Sequence, residues 1–309
     1  MSDAEQFGPW VSDEAKARYG AYLAESSAPT DLADARLFFA SYNQRLLDKA
    51  AARYAVDITE CEIAGVKVYD VVPAGGADDT PVLLCLHGGA FLWGEGAGAL
   101  LEAVPIAAVA GLRVVAVDYR LAPEHVFPAA VDDVVAVYRA LVETVDPAKI
   151  GIYGCSAGAV LTTQLVARLL HDGLPKPGAI GIFHGAPVPF AGDAALAQKL
   201  FDPRAGDGAA PKIEALPYFM GADLSDPLVL SADHPETLAA FPPSLLISAT
   251  RDFAASAVSV MHRRLLAAGV DARFVLFDGL WHAHHMDVDL RESVETYAII
   301  SDFFRKQLG

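Results

Sequence analysis

Three scarcities narrow the reading of this 309-residue chain. It is short of positive charge, with 23 Lys and Arg against 39 Asp and Glu and a formal net charge of -16. Such a surface repels the phosphates of nucleic acid and of anionic membranes, so neither is an expected partner. Cysteine is rare: Cys61, Cys85 and Cys155 are widely spaced and form no CxxC pair. This excludes a disulfide framework and a cysteine-rich zinc site, and leaves the three as reduced, small buried hydrophobes. Uninterrupted apolar runs long enough to span a bilayer are missing, because 96–112 is broken by Glu102 and Pro105, and 156–170 by Gln164 and Arg168. The opening MSDAEQFGPW has acids where a secretory signal has bases followed by an apolar stretch. The cytoplasm is therefore the expected compartment.

What the chain does contain is apolar residues, 53 % of the total against 20 % charged, spread from end to end. Disorder is excluded as a description of the whole, and the length lies near the upper size for one hydrophobic core. Segments 58–63 and 66–72 read as the strands of a hairpin turning at Ala64 and Gly65. After a Gly- and Asp-rich loop at 75–80, 81–86 is a continuous apolar run of the kind buried on both faces of a sheet. Further strands are expected near 112–118, 150–153, 178–183, 244–249 and 272–277. Helices are expected between and after them near 129–144, 157–171, 254–268 and 294–307. This alternation is the pattern of an α/β fold, a mostly parallel sheet with helices on both faces. Two segments stand outside it: 1–55, with helices expected at 15–23 and 31–49, and 187–241, rich in Ala, Pro, Asp and Gly. Each is a candidate part of a helical cap, since long excursions in compact domains are usually functional or disordered. The catalytic domain is then 56–186 together with 242–309.

Gly154-Cys155-Ser156-Ala157-Gly158 follows an apolar strand and precedes a helix pattern, the context of a nucleophile elbow. There the serine holds strained φ/ψ, and a Cβ at either flanking glycine would crowd the turn. The same five residues also fit a plain Gly-rich turn whose serine caps the next helix. His87-Gly88-Gly89-Ala90 directly follows the 81–86 run. With the N–H of Ala157, those of Gly88, Gly89 and Ala90 form a candidate oxyanion hole for a tetrahedral intermediate. A nucleophilic serine also needs a base and an orienting acid, in chain order Ser, Asp or Glu, His on such a sheet. Ser156, Asp252 and His282 satisfy that order. His284 and His285 compete for the base, Asp226 and Asp278 for the acid, and Asp252 also fits a helix N-cap.

HGGAF at 87–91, DYRLAPEHVFPAAVDD at 118–133 and GCSAG at 154–158 resemble, in order and spacing, the hormone-sensitive-lipase-like branch of the α/β-hydrolase superfamily, the bacterial HGGG esterases. The resemblance runs from about residue 58 to the C-terminus. It implies an eight-stranded, mostly parallel sheet, a helical cap built from the N-terminus and an insertion after the sixth strand, and hydrolysis of short-chain carboxylic esters. It also implies Asp252 as the acid and His282 as the base, because His282 follows Trp281 where the family has its histidine after a proline or an aromatic residue. One position departs: Ala90 stands where the family usually has glycine, which keeps the N–H and adds a methyl that narrows the hole.

Phe91, Trp93, Tyr119, Phe183, Phe190, Tyr218, Phe219 and Trp281 are candidates to line an acyl or alcohol pocket. Asp118, Arg120 and Glu124 read as a salt-bridged turn behind the oxyanion loop, and His125, His171, His184, His234 and His262 have no partner that the sequence names. The expected reaction is acyl transfer from a small-molecule ester to Ser156, without cofactor or metal. Lactonase or amidase activity on the same triad, a zinc site from His282, His284, His285 and Asp287, and a non-catalytic receptor of the same fold are the alternatives. Exposed strand edges or helices leave a homodimer open.

Overall fold

The computed structural model describes residues 7–25, 28–76, 81–201 and 212–309. Parts of the expected loop at 75–80 and of the segments 1–55 and 187–241 lie outside the described residues. Two helices come first, α1 (Asp13–Glu25) and α2 (Leu32–Arg53). Asp31 caps α2, its carboxylate accepting the N–H groups of Ala33 and Asp34. The hairpin β1 (Val56–Ile63) and β2 (Val66–Pro73) turns through Ala64 and Gly65, both at positive φ. That geometry matches the right-handed twist of the flanking strands. There follow β3 (Val82–Leu86), α3 (Ala97–Ala110), β4 (Arg113–Val117), α4 (Ala129–Leu141), β5 (Ile150–Cys155), α5 (Ala157–His171) and β6 (Ala179–Phe183). Two shorter helices, α6 (Asp193–Phe201) and α7 (Pro235–Leu238), precede β7 (Ser244–Arg251), α8 (Ala255–Ala267), β8 (Ala272–Trp281) and α9 (Arg291–Leu308).

The eight strands make one sheet in the order β1-β2-β4-β3-β5-β6-β7-β8. β2 pairs antiparallel with β1 and β4, and every other pairing is parallel. Successive residues of a strand face opposite sides, so each central strand feeds two cores. Val82, Leu84 and Leu86 of β3 pack with residues of α4, α5 and α8, while Leu83 and Cys85 pack with residues of α1, α2, α3 and α9. Burial on both faces is why β3 carries no polar side chain.

The sequence pattern missed α3. Its apolar stretch is a buried helix with Pro105 in its interior and Glu102 on a buried face. Cys85 and Cys155 are buried as expected, but Cys61 is exposed, a correction. It lies on edge strand β1, whose inner positions are all exposed. No described helix is long and apolar enough to cross a membrane.

Candidate active site

The carboxyl ends of five neighbouring parallel strands lie on one edge of the sheet, where ligands bind in open α/β folds. The first residue after each is His87 (β3), Ser156 (β5), His184 (β6), Asp252 (β7) and His282 (β8). Topology alone therefore gathers residues separated by up to almost 200 positions in the chain.

Ser156 sits between β5 and α5 at φ 56° and ψ -116°, a conformation that non-glycine residues rarely adopt. Its N–H donates to the Phe183 carbonyl at 2.8 Å, which ties the bend to β6. The flanking glycines are required by close approach rather than by φ. A Cβ on Gly158 would lie 1.8 Å from the Leu86 carbonyl oxygen, and one on Gly154 would lie 2.4 Å from the Gly158 backbone. Only a chain lacking both atoms can press the elbow against the end of β3.

The oxyanion loop differs from expectation at one donor. The Gly88 N–H donates to Oε1 of Glu102 at 2.6 Å, so Gly88 is a correction: it is buried and its hydrogen is already used. The N–H groups of Gly89, Ala90 and Ala157 have no acceptor among the described residues. Gly89, Ala90 and Phe91 are all at positive φ (118°, 54° and 61°). At Gly89 a side chain is impossible, since its Cβ would meet the Trp93 carbonyl oxygen at 1.9 Å. His87 stacks on Tyr119 at 4.2 Å, and the Tyr119 hydroxyl donates to the His87 carbonyl at 2.6 Å, holding the root of the loop.

Asp252 and His282 are brought together by an irregularity in the sheet. The β7–β8 register shifts between Ala249 and Arg251, so that Arg251 faces Trp281 and the next residues leave the two strands side by side. His282 Nδ1 donates to Asp252 Oδ1 at 2.8 Å. The carboxylate is fully buried and accepts three more bonds: Ala254 N–H on Oδ1 at 2.9 Å, and His184 Nδ1 and Ser248 Oγ on Oδ2, both at 2.8 Å. Burial opposes its ionisation, yet the charge and hydrogen bonds of His282 and His184 hold it well below the usual carboxylate range. The Nδ1–H tautomer of His282 leaves Nε2 with a free lone pair, as a general base requires.

The competing residues go elsewhere. His284 bonds Thr296 Oγ1 at 3.2 Å and His285 stacks on His184 at 5.4 Å; burial pushes both imidazoles well below their ordinary pKa. Asp226 accepts the Leu228 N–H, and Asp278 accepts Trp10 Nε1 and Thr250 Oγ1. Asp287 pairs with Arg18 of α1, so the residues of the zinc alternative do not converge. Among the described residues the group with three ligand-type atoms within 4.8 Å is His184, Asp252 and His282. Those atoms are engaged with one another as N–H···O bonds. In the 118–133 block, Glu124 pairs with Arg36 of α2 and Arg120 with Asp133, a braced turn as expected.

A small cavity of about 60 Å³ opens at Ser156, lined by Ala90, Phe91, Ala157, Val160, Phe190, Ile213, Leu216 and Phe253. Of the expected pocket residues only Phe91 and Phe190 reach it. Trp93 stacks on Phe39 of α2 at 4.4 Å, Tyr218 stacks behind Phe91 at 3.9 Å, and Phe219 packs edge-on against both rings. Tyr119 is taken by His87, Phe183 packs in the core against Tyr153, and Trp281 stacks on Tyr22 at 5.0 Å. Apolar size marks these residues for burial, and which of two buried faces they occupy is a tertiary outcome. Sequence reasoning missed Phe253, which stacks on His282 at 4.5 Å, and the acid's second partner His184. His184 shares the signal of the others, the first position after a strand.

A serine at a strained strand–helix bend, an Asp–His pair and unbonded N–H groups lie along one edge of an α/β sheet, the parts that acyl transfer through a serine would need. Residues 83–286 match the family model for the alpha/beta hydrolase fold. The chain is 30 % identical over 232 residues to an acetyl-hydrolase of Streptomyces hygroscopicus, covering 72 % of this chain and 77 % of that protein. It is 27 % identical over 256 residues to an esterase of Acinetobacter venetianus, covering 80 % and 82 %. It superposes on the crystal structure of an esterase from the bacterial hormone-sensitive lipase family with a TM-score of 0.84, at 28 % identity over 96 % of this chain and 99 % of the other. The chain belongs to the α/β-hydrolase fold family, in its hormone-sensitive-lipase-like branch.

Proposed function

We propose that this protein is a serine carboxylesterase that hydrolyses short-chain carboxylic esters through an acyl-enzyme on Ser156. The observation that carries the reading is the 2.8 Å bond from His282 to a fully buried Asp252 at the same carboxyl edge of the sheet as Ser156, whose cavity is also lined by Ala90 and Ala157. His282 Nε2 takes the Ser156 hydroxyl proton as Oγ adds to the ester carbonyl. The N–H groups of Gly89, Ala90 and Ala157 receive the oxyanion, and Asp252 stabilises the imidazolium. The imidazolium then protonates the leaving alcohol. Water repeats the sequence on the acyl-enzyme and releases the acid.

The cavity is small and walled by apolar side chains, which favours a short, uncharged acyl group. Phe190, Ile213 and Leu216 come from the segment 187–241, which supports its role as the part of the cap over the substrate. In the N-terminal segment, α2 acts as a brace: Arg36 donates to the Leu92 and Ala122 carbonyls flanking the oxyanion loop. The similarity to an acetyl-hydrolase and to esterases agrees with a small ester substrate.

Labelling with a fluorophosphonate and peptide mapping is the test, with turnover of p-nitrophenyl acetate measured alongside. Modification of Ser156 alone, lost together with turnover in Ser156→Ala, is expected. A labelled serine outside 154–158, or wild-type turnover by Ser156→Ala, rejects the proposal. Activity unchanged after chelation is expected as well.

A further inference from the structure

α3 is apolar along its whole length, AGALLEAVPIAAVA, except for Glu102, which is 5 % exposed. A buried carboxyl without a cation is costly, and such placements persist mainly where they serve a site. Burial pushes this one up to about 8, although the Gly88 N–H bond and the neighbouring Cys155 backbone work in the opposite direction.

The Glu102 carboxyl lies where the two halves of the site meet. Gly88 belongs to the oxyanion loop and Cys155 immediately precedes Ser156; the carboxyl from α3 takes the Gly88 N–H at 2.6 Å, and the Gly88 backbone in turn lies against the Cys155 carbonyl and Ser156. The loop is wedged between Glu102 and the nucleophile. A Cβ on Gly88 would lie 3.3 Å from Glu102 Oε1, 3.4 Å from Ser156 Cβ and 3.0 Å from the Cys155 carbonyl oxygen. The Glu102 turn of α3 is itself anchored, because the Tyr153 hydroxyl donates to the Glu102 carbonyl at 3.0 Å.

We propose that Glu102 is a positioning residue for the oxyanion hole: by taking the N–H of Gly88, which is wedged between this carboxyl and the Cys155–Ser156 bend, it locks the loop against the elbow, so that Gly89, Ala90 and Ala157 are left to receive the oxyanion. Gly88 is thereby the anchor of the loop and not one of its donors. The role rests on the esterase reading above. Glu102 touches no reacting atom and acts through the backbone it holds. Loss of that hold displaces donors that matter only once charge develops on the carbonyl oxygen, so kcat and transition-state affinity respond while ground-state binding does not.

The test compares Glu102→Leu, which accepts no bond, with Glu102→Gln, which keeps one carbonyl oxygen for Gly88. The readouts are kcat and KM for p-nitrophenyl acetate per fluorophosphonate-titrated site, and Ki for a trifluoromethyl ketone that mimics the tetrahedral intermediate. Loss of one oxyanion donor costs about 10²- to 10³-fold in rate. Glu102→Leu is therefore expected to lose about 10² in kcat and to weaken Ki in parallel, with KM within about threefold, while Glu102→Gln stays within about tenfold of wild type. A folded, fully titratable Leu variant with kcat and Ki within about threefold of wild type overturns the proposal. So does a loss confined to KM or to the titratable fraction, which marks a purely structural residue. Should Glu102→Leu not fold, Glu102→Asp, which withdraws the carboxyl by one methylene, takes its place in the comparison, with the same results supporting or overturning the role. Labelling of wild-type Ser156 separates the two readings. An unlabelled Ser156 removes the esterase proposal, whereas a labelled Ser156 with an indifferent Glu102 variant removes only the role of Glu102.

Discussion

Replacing Asp252 by Asn probes the acid more finely than its deletion, because the four bonds to the carboxylate predict which way the amide turns. Oδ1 accepts His282 Nδ1 and the Ala254 N–H, while Oδ2 accepts His184 Nδ1 and Ser248 Oγ. The Ala254 N–H is a backbone donor that cannot reverse, so the amide oxygen must stay on its side. The partners of Oδ2 can reverse: Ser248 by rotating its hydroxyl, His184 by moving its proton to Nε2, a buried atom without a partner. The Asn oxygen therefore continues to hold His282 in the Nδ1–H tautomer. What disappears is the negative charge facing the imidazolium, worth about 4 kcal/mol for two charges about 4 Å apart at an effective dielectric constant near 20. The retained hydrogen bond offsets part of this, so kcat/KM for p-nitrophenyl acetate is expected to fall about 10²- to 10³-fold. Asp252→Ala, with no acceptor for either donor, should fall at least about tenfold further. A loss near 10⁴ in Asp252→Asn, the size produced by the wrong tautomer, or equal losses in the Asn and Ala variants, would refute the assignment of the amide by Ala254.

Other outcomes follow from the same geometry. Phe253→Ala removes a wall of the Ser156 cavity and the ring stacked on His282, so the preferred p-nitrophenyl ester should lengthen by several carbons while acetate turnover drops; an unchanged chain-length profile contradicts the placement of the pocket. Gly158→Ala, whose Cβ falls 1.8 Å from the Leu86 carbonyl oxygen, should destabilise by about 3 kcal/mol or more in urea unfolding and abolish labelling, and a variant as stable as wild type refutes the close approach. His87, His184, His284 and His285 are buried with lowered pKa values, so below about pH 6.5 the unfolded chain binds protons that the folded chain refuses. Stability is therefore full above that pH and falls as pH drops, by up to roughly 5 kcal/mol per pH unit for four groups, and urea midpoints that match at pH 7.5 and 5.5 would show the sign to be wrong. Glu102 acts in the opposite sense, its folded pKa being raised to about 8, so its contribution is lost as pH rises from about 4.5 towards 8. Between pH 6.5 and 8 the wild type should lose roughly 2 kcal/mol that Glu102→Gln does not, and parallel profiles for the two proteins contradict a strained buried carboxyl.

Much of the fold is legible in one dimension because its cause is local. Two-sided burial demands unbroken apolar strands, and their alternation with helix-period segments specifies a parallel sheet before any contact is known. α3 escaped because it is apolar all round, and a helix buried on every side has no polar stripe to betray its period. The elbow is legible for a similar reason: glycines at 154 and 158 record an approach that no other residue permits. The chain by itself therefore determined the α/β class and singled out the proposed nucleophile and the order of its proposed partners. Only the tertiary structure decided which N–H groups are free, that His184 and not His284 or His285 shares Asp252 with His282, and that Glu102 occupies Gly88. Each depends on a hydrogen bond between segments remote in sequence. A donor's partner follows from where two elements meet in space, and neither element carries that information alone.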